Sequence, residues 1–189
     1  DLTLTDKLRK SMPETSEKEL QRIARLAQTI VFTSQGTPFM FAGEEIFRDK
    51  KGVHNSYCSP DSVNAIDWSL KNSNAGQFEF YRNLIALRKA HPAFRMTATE
   101  DIARNIVFDK TDHPNLISYS IKNHANGDDW CEIKLIFNGS DTAIPVKIRK
   151  GDWIIVAQDG NLNPDGLGHT KGGNMTVAPY SALILARDK

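Results

Sequence analysis

Cysteine is scarce in this sequence. Cys58 and Cys131 are its two cysteines, no CxxC pair occurs, and His54, His91, His113, His124 and His169 are scattered. A disulfide scaffold is denser in cysteine and a metal site clusters its ligands. Two free thiols are therefore expected, ahead of a disulfide or half of a metal site. An excess of one charge is also lacking: Lys+Arg is 24 against Asp+Glu 23, a net charge of +1. Nucleic-acid binders carry a basic excess or stripe, so no nucleic-acid partner is expected. No long hydrophobic run is present. The longest mostly apolar stretch, Thr29 to Gly43, is broken by Thr33, Ser34, Gln35 and Gly36. It falls short of the roughly 18 uninterrupted apolar residues that span a membrane. No charged-then-apolar leader opens the chain. It begins on Asp1 and its first methionine is Met12, which reads as a mature product or an excised piece. No P-loop, other phosphate loop or nucleotide fingerprint is present, nor any internal repeat.

What is present is an ordinary globular mixture, 40% hydrophobic and 25% charged over 189 residues, with room for one large domain or two small ones. Ser16 with Glu19 has capping-box spacing. Behind it Leu20, Ile23, Ala24, Ala27, Ile30 and Val31 recur at helical spacing, predicting a helix over about 17–31. Gln35 to Pro38 breaks it. Phe39–Ala42, apolar on both faces and closed by Gly43, suits a strand buried in a parallel sheet. Residues 44–73 have no period and read as a long functional loop. A second helix over about 75–90 follows from Phe78, Tyr81, Leu84, Ile85 and Leu87, and Pro92 ends it. Thr99 to Arg104 reads as a helical turn. Beyond about residue 98 short apolar runs alternate with Gly/Asn/Asp turns: 116–122, 130–138, 143–148, 153–157, 175–178 and 182–186. That pattern predicts a small antiparallel β-sandwich, and the change of character places a domain boundary near 97.

Gln35-Gly36-Thr37-Pro38-Phe39-Met40-Phe41-Ala42-Gly43-Glu44-Glu45 resembles the eighth barrel strand and following loop of α-amylase-type glycoside hydrolases. The continuation Lys50 to Tyr57, Ser59 to Asn64 and Ile66-Asp67-Trp68 is similar to type I pullulanases. Leu84 to Arg95 resembles that family's last barrel helix, and Val177 to Leu185 the last strand of its C-terminal sandwich. The resemblance implies an α/β plus all-β architecture: the last part of a (β/α)8 TIM barrel in residues 1–97, then a small antiparallel β-sandwich in 98–189. It implies cleavage of α-1,6-glucosidic branch linkages in pullulan or starch by retaining double displacement, with an α-glucan (pullulan, starch, glycogen) as partner and no cofactor. The family's three catalytic acids sit on barrel strands four, five and seven, all before Asp1. Asp1 falls just past the third acid, where the family usually has Asn, and is not catalytic. The chain by itself is thus expected to be inactive. A carbohydrate-binding or structural module, or an isoamylase- or branching-type relative, is the alternative.

Asn55, Tyr57, Asp61 and Asn64 are the candidate substrate-binding residues. They lie in the loop after a barrel-type strand, where barrel enzymes build their active face. Amides and carboxylates pair with adjacent sugar hydroxyls, and a ring covers a sugar face. Cys58 stands where the family often has Asn. Glu44 and Glu45, as extended neighbours, point apart; one is expected to brace the loop and the other to be solvated. Arg48, Lys50 and Lys51 read as a solvated basic run and His54 as structural or solvated. Trp68 is expected to pack the loop on the second helix, and Trp130 and Trp153 to pack in the core. Asp61 and Asp67 have oxygen donors that suit Ca²⁺, but without EF-hand spacing no metal site is expected.

Overall fold

The computed structural model describes residues 2–188; Asp1 lies outside them. The order begins with helices α1 (Leu4–Ser11), α2 (Glu17–Thr33), the single turns α3 (Asp61–Asn64) and α4 (Leu70–Ser73), then α5 (Ala75–Ala90) and α6 (Thr99–Asn105). Strands β1 (Ile106–Phe108), β2 (Leu116–Lys122), β3 (Glu132–Asn138), β4 (Ile144–Ile148), β5 (Trp153–Gln158), β6 (Asn161–Leu162), β7 (Gly168–Thr170), β8 (Gly173–Val177) and β9 (Ser181–Arg187) follow.

The two long helices arise where the apolar periodicity places them. The Ser16 hydroxyl accepts the Glu19 N–H at 3.3 Å and starts α2, giving one of the orphan amides of the first turn a partner. At the other end, Arg88 from α5 closes α2. Its guanidinium is buried and donates to the carbonyls of Phe32 at 2.7 Å and Ser34 at 2.8 Å, and to that of Gly36. Those are carbonyls at or past the helix end, which have no intrahelical donor.

The strands form one seven-stranded sheet, order β1-β2-β3-β9-β5-β6, with β7 also on β5, and a separate β4–β8 ribbon. Every pairing among the described residues is antiparallel. The sheet has two different coverings. On one face Leu26 and Phe32 of α2, Leu84 and Leu87 of α5 and Phe94 share a core with Tyr119, Leu135, Phe137, Val156 and Ile184. On the other, Ile136, Trp153, Leu183 and Leu185 pack with Ile148 and Val177 of the ribbon. Strand β9 lies between both coverings, and its residues Ser181 to Ala186 are all buried. A strand covered on two faces reads as a continuous apolar run instead of an alternating one.

Several expectations are corrected. Phe39–Ala42 forms no strand. A strand in a parallel sheet requires hydrogen-bonded neighbours, and no described residue pairs with this run, so it is irregular, ends in a turn at Ala42 and leaves Phe39 82% exposed. No barrel element is evident among the described residues. The second layer of the expected sandwich is only a two-stranded ribbon, because helices take the other face of the sheet. Trp68 does not pack the loop on a helix; it is 65% exposed. Trp130 and Trp153 are in the core as expected, and both cysteines are free thiols.

Candidate functional site

The loop that carries the candidate residues is held from three directions. From α1, the buried Asp6 carboxylate accepts the Lys50 N–H and the Gly52 N–H, both at 2.8 Å, and the Thr3 hydroxyl at 2.7 Å. Arg9 of the same helix forms an ion pair with Asp49. From α2, the Gln28 amide donates to Glu44 at 2.8 Å. From the loop itself, Arg48 donates to the Ala42 carbonyl at 3.0 Å and to the Asn64 carbonyl, and lies 5.5 Å from the Phe41 ring centroid.

Arg48 is 6% exposed. The solvated reading of the basic run therefore fails for this residue, since its guanidinium is occupied by carbonyls the loop cannot otherwise satisfy. It fails for Lys50 too. That ammonium donates to the Ser56 hydroxyl at 2.7 Å and sits 5.1 Å from the Phe41 ring centroid, an arrangement in which the ring quadrupole favours the cation. Lys51 is exposed, as expected. Gly43, at φ +96°, has space for no side chain: a Cβ there would lie 2.5 Å from Cδ of Arg48. Glycine is therefore required both for the left-handed backbone and for the close approach of Arg48.

Glu44 and Glu45 take different partners. Glu45 accepts the Gly43 N–H at 3.0 Å, so both carboxylates brace the loop, and neither is the free solvated one expected. Burial, and then the Glu45 charge, push the Glu44 carboxyl above its ordinary range. This pair is not arranged as nucleophile and acid.

The four candidate residues separate into two groups. Asn55 and Tyr57 are exposed and line one cavity of about 450 Å³ with Phe39, Phe41, Glu44 and Lys50. Tyr57 is 85% exposed. Asn64 does not line it: its amide donates to the Ser56 carbonyl at 2.6 Å and the Ser59 carbonyl at 2.9 Å, shaping the turn that presents Tyr57. Asp61 opens the α3 turn and is exposed. His54 is exposed. Sequence reasoning missed Phe39, Phe41 and Lys50 as cavity residues. The signal was there in one respect: an apolar run followed by basic residues permits cation–π pairing. Among the described residues, no three His, Cys, Asp or Glu side chains converge as a metal site, and no helix is long and apolar enough to cross a membrane.

A cavity lined by an exposed phenol, an amide, a carboxylate, an ammonium and two phenyl rings can cover an apolar sugar face and pair with its hydroxyls. Residues 102–161 match the family model described as the pullulanase all-beta domain. Pullulanase of Bacillus subtilis (strain 168) is 37% identical over 142 residues, covering 75% of this chain and 20% of that protein. The chloroplastic isoamylase 3 of Oryza sativa subsp. japonica is 29% identical over 172 residues, 80% of this chain and 21% of that protein. The solved pullulanase from Bacillus acidopullulyticus superposes with TM-score 0.94 at 40% identity, covering 99% of this chain and 23% of that one. The pullulanase from Paenibacillus barengoltzii, solved in complex with maltohexaose and α-cyclodextrin, gives TM-score 0.87 at 32% identity over 100% of this chain and 28% of that one. Over nearly its whole length the chain is similar to one part of these glycoside hydrolases. Within that class it is pullulanase-like, and it spans about a fifth of the length of these curated relatives.

Proposed function

We propose that the chain is the C-terminal part of an enzyme that cleaves α-1,6-glucosidic branch linkages in pullulan and starch. In this reading residues 1–97 are the end of its (β/α)8 catalytic barrel and 98–189 the β-sandwich that follows. The unpaired apolar run Phe39–Ala42, with Phe39 82% exposed, supports it, since a barrel strand acquires its neighbours only when the other strands are present. The observation that carries the reading is the cavity formed by Asn55, Tyr57, Phe39, Phe41 and Lys50 at the end of that run, in a chain that superposes over its whole length on pullulanases, one of them holding maltohexaose. Asn55 and Tyr57 contact the glucan. Asp61 and Asn64 belong to the same binding loop, Asn64 through its hold on the backbone of Ser56. A retaining mechanism requires a nucleophile and an acid about 5–5.5 Å apart, and Glu44 and Glu45 are engaged elsewhere. The catalytic acids therefore come from other barrel strands.

The test is kinetic. In the full-length enzyme, Asn55→Ala and Tyr57→Ala each lower kcat/KM on pullulan by roughly tenfold, the worth of a lost stacking or hydrogen-bond contact, with unchanged circular dichroism. The 189-residue chain alone releases no reducing sugar from pullulan. Unchanged kinetics in both variants, or turnover by the isolated chain, refutes the reading. The isoamylase likeness favours a second reading, an amylopectin debranching enzyme. Comparing products from pullulan and amylopectin decides between the two.

A further inference from the structure

Lys18, Arg22 and Arg25 follow one another on α2 at spacings of four and three, which brings them onto one helix face. That face forms one wall of a groove of about 430 Å³. The opposite wall is the β5–β6 hairpin, where Asp159 and Gly160 both take positive φ in a two-residue turn, with Asn161 beside them. Pro179 and Tyr180 close one end. None of the three cations is in an ion pair among the described residues. The carboxylates of Glu19 and Asp159 also line the groove, yet neither pairs with them.

The two guanidiniums are left with unused donors. Arg25 gives its Nε–H to Gln77 at 2.8 Å and one Nη to the Gly160 carbonyl at 3.3 Å; its second Nη has no acceptor among the described residues. Arg22 has none for any of its nitrogens, and its Nε is buried. Gly160 faces it across the groove, where a Cβ would be in ordinary contact, 3.9 Å from Nε. Partly buried cations are normally paired, because the charge is otherwise poorly solvated. Burial here lowers the Arg25 pKa, and the only offset is Tyr81. Two adjacent forks plus an ammonium offer more donors than the two oxygens of one carboxylate accept. They match a tetrahedral anion, whose several oxygens engage them together.

We propose that the groove between α2 and the β5–β6 hairpin binds an oxyanion of the phosphate class through Arg22, Arg25 and Lys18, either as free phosphate or as a phosphate ester on a sugar. Asn161 supplies an amide at the same groove and Gln21, whose NH2 donates to Asn74 at 2.8 Å, an amide oxygen, which suits the hydroxyls of an attached sugar. The site is separate from the Asn55–Tyr57 cavity and does not depend on the α-glucan reading.

The experiment is calorimetric titration of the protein with inorganic phosphate and, separately, with glucose 6-phosphate, at constant ionic strength set with sodium chloride. Arg22→Gln and Lys18→Gln are titrated alongside. The Arg22 side chain makes no hydrogen bond among the described residues, so its variant retains the wild-type denaturation midpoint, which is checked. Loss of one charge-assisted hydrogen bond weakens binding about tenfold in Arg22→Gln. Tighter binding of glucose 6-phosphate than of phosphate identifies the ester as the ligand; equal binding identifies the free ion. Absence of binding by both probes at millimolar concentration, or affinities unchanged in Arg22→Gln and Lys18→Gln, overturns the proposal.

Discussion

Replacing Asp128 tests how the helical layer is fastened to the sheet. This residue lies in the loop between β2 and β3, and its carboxylate is fully buried. One oxygen accepts the Trp130 N–H at 2.9 Å and His91 Nδ1 at 2.9 Å; the other accepts the Ala93 N–H at 3.0 Å. The His91 ring, just past the end of α5, stacks on Trp130 with centroids 3.4 Å apart. Burial opposes the charge, but His91 and the two backbone donors outweigh it and hold the Asp128 carboxyl below its ordinary range. Asp128→Ala leaves two buried N–H groups without acceptors, at about 1–3 kcal/mol each, and releases His91. A smaller gain opposes this, since no charge is then desolvated. The net expectation is a loss of about 3 kcal/mol at pH 7. Asp128→Asn keeps one acceptor oxygen and loses about half as much. The sign of the pH effect follows from the lowered pKa. Stability from Asp128 is complete above the unfolded carboxyl value of about 3.9 and is lost as pH falls from there through the lower folded value. The assay is urea denaturation followed by tryptophan fluorescence, for wild type and both variants, from pH 7 down to pH 3. The wild-type advantage over Asp128→Asn is constant near neutrality and narrows in the acid range. A loss under about 0.5 kcal/mol for Asp128→Ala, the scale of an ordinary surface change, or a gap to Asp128→Asn independent of pH, refutes the reasoning.

Arg88→Met removes the donor that serves three carbonyls at or past the end of α2 and costs about 2–4 kcal/mol, read as a fall in thermal midpoint; Arg88→Lys recovers only part of it, for an ammonium lacks the planar fork. Gly43→Ala forces a side chain into a left-handed position against Arg48, at about 1–2 kcal/mol for the backbone alone. On the proposed pullulan-cleaving reading, turnover by the full-length Gly43→Ala enzyme falls while the far-ultraviolet spectrum is retained, and an active, unperturbed variant contradicts the description of the loop.

Local order was legible where one physical cause acts alone. The period of Leu20, Ala24 and Ile30 gave α2; on α5 Tyr81, Leu84 and Leu87 of the face read from the period are buried, while Ile85 of that face is exposed and Phe80, which it left out, is buried. The apolar run 182–186 marked the strand that is covered on both faces. What depended on distant partners was not legible. Phe39–Ala42 has the composition of a buried strand, but composition does not supply the neighbouring strands. Arg48 looks like one member of a solvated basic run, and only the folded loop shows that the Ala42 and Asn64 carbonyls need it. The same holds for His91 and Asp128, which nothing in local spacing connects. β6 and β7 are two and three residues long and carry no periodicity to read. Of the candidate residues, the family resemblance, together with an amide- and aromatic-rich loop, brought Asn55 and Tyr57 to notice, and both line one cavity; the role of Asn64 as a brace depends on carbonyls whose positions only the fold determines.

The order β1-β2-β3-β9-β5-β6 makes the last strand in the described chain the central one. Strands β1 to β3 and strands β5 to β7 touch each other in the main sheet only through β9, whose residues pair with Glu132–Asn138 on one side and with Ile154–Ala157 on the other. As the polypeptide leaves the ribosome, two half-sheets therefore wait with unsatisfied edges until residues 181–187 emerge. Such edges are templates for mispairing with other chains. Nascent protein is consequently exposed to such mispairing until residues 181–187 are free to insert, and a stop codon a few residues before Ser181 leaves two separated half-sheets where the chain through Arg187 has one.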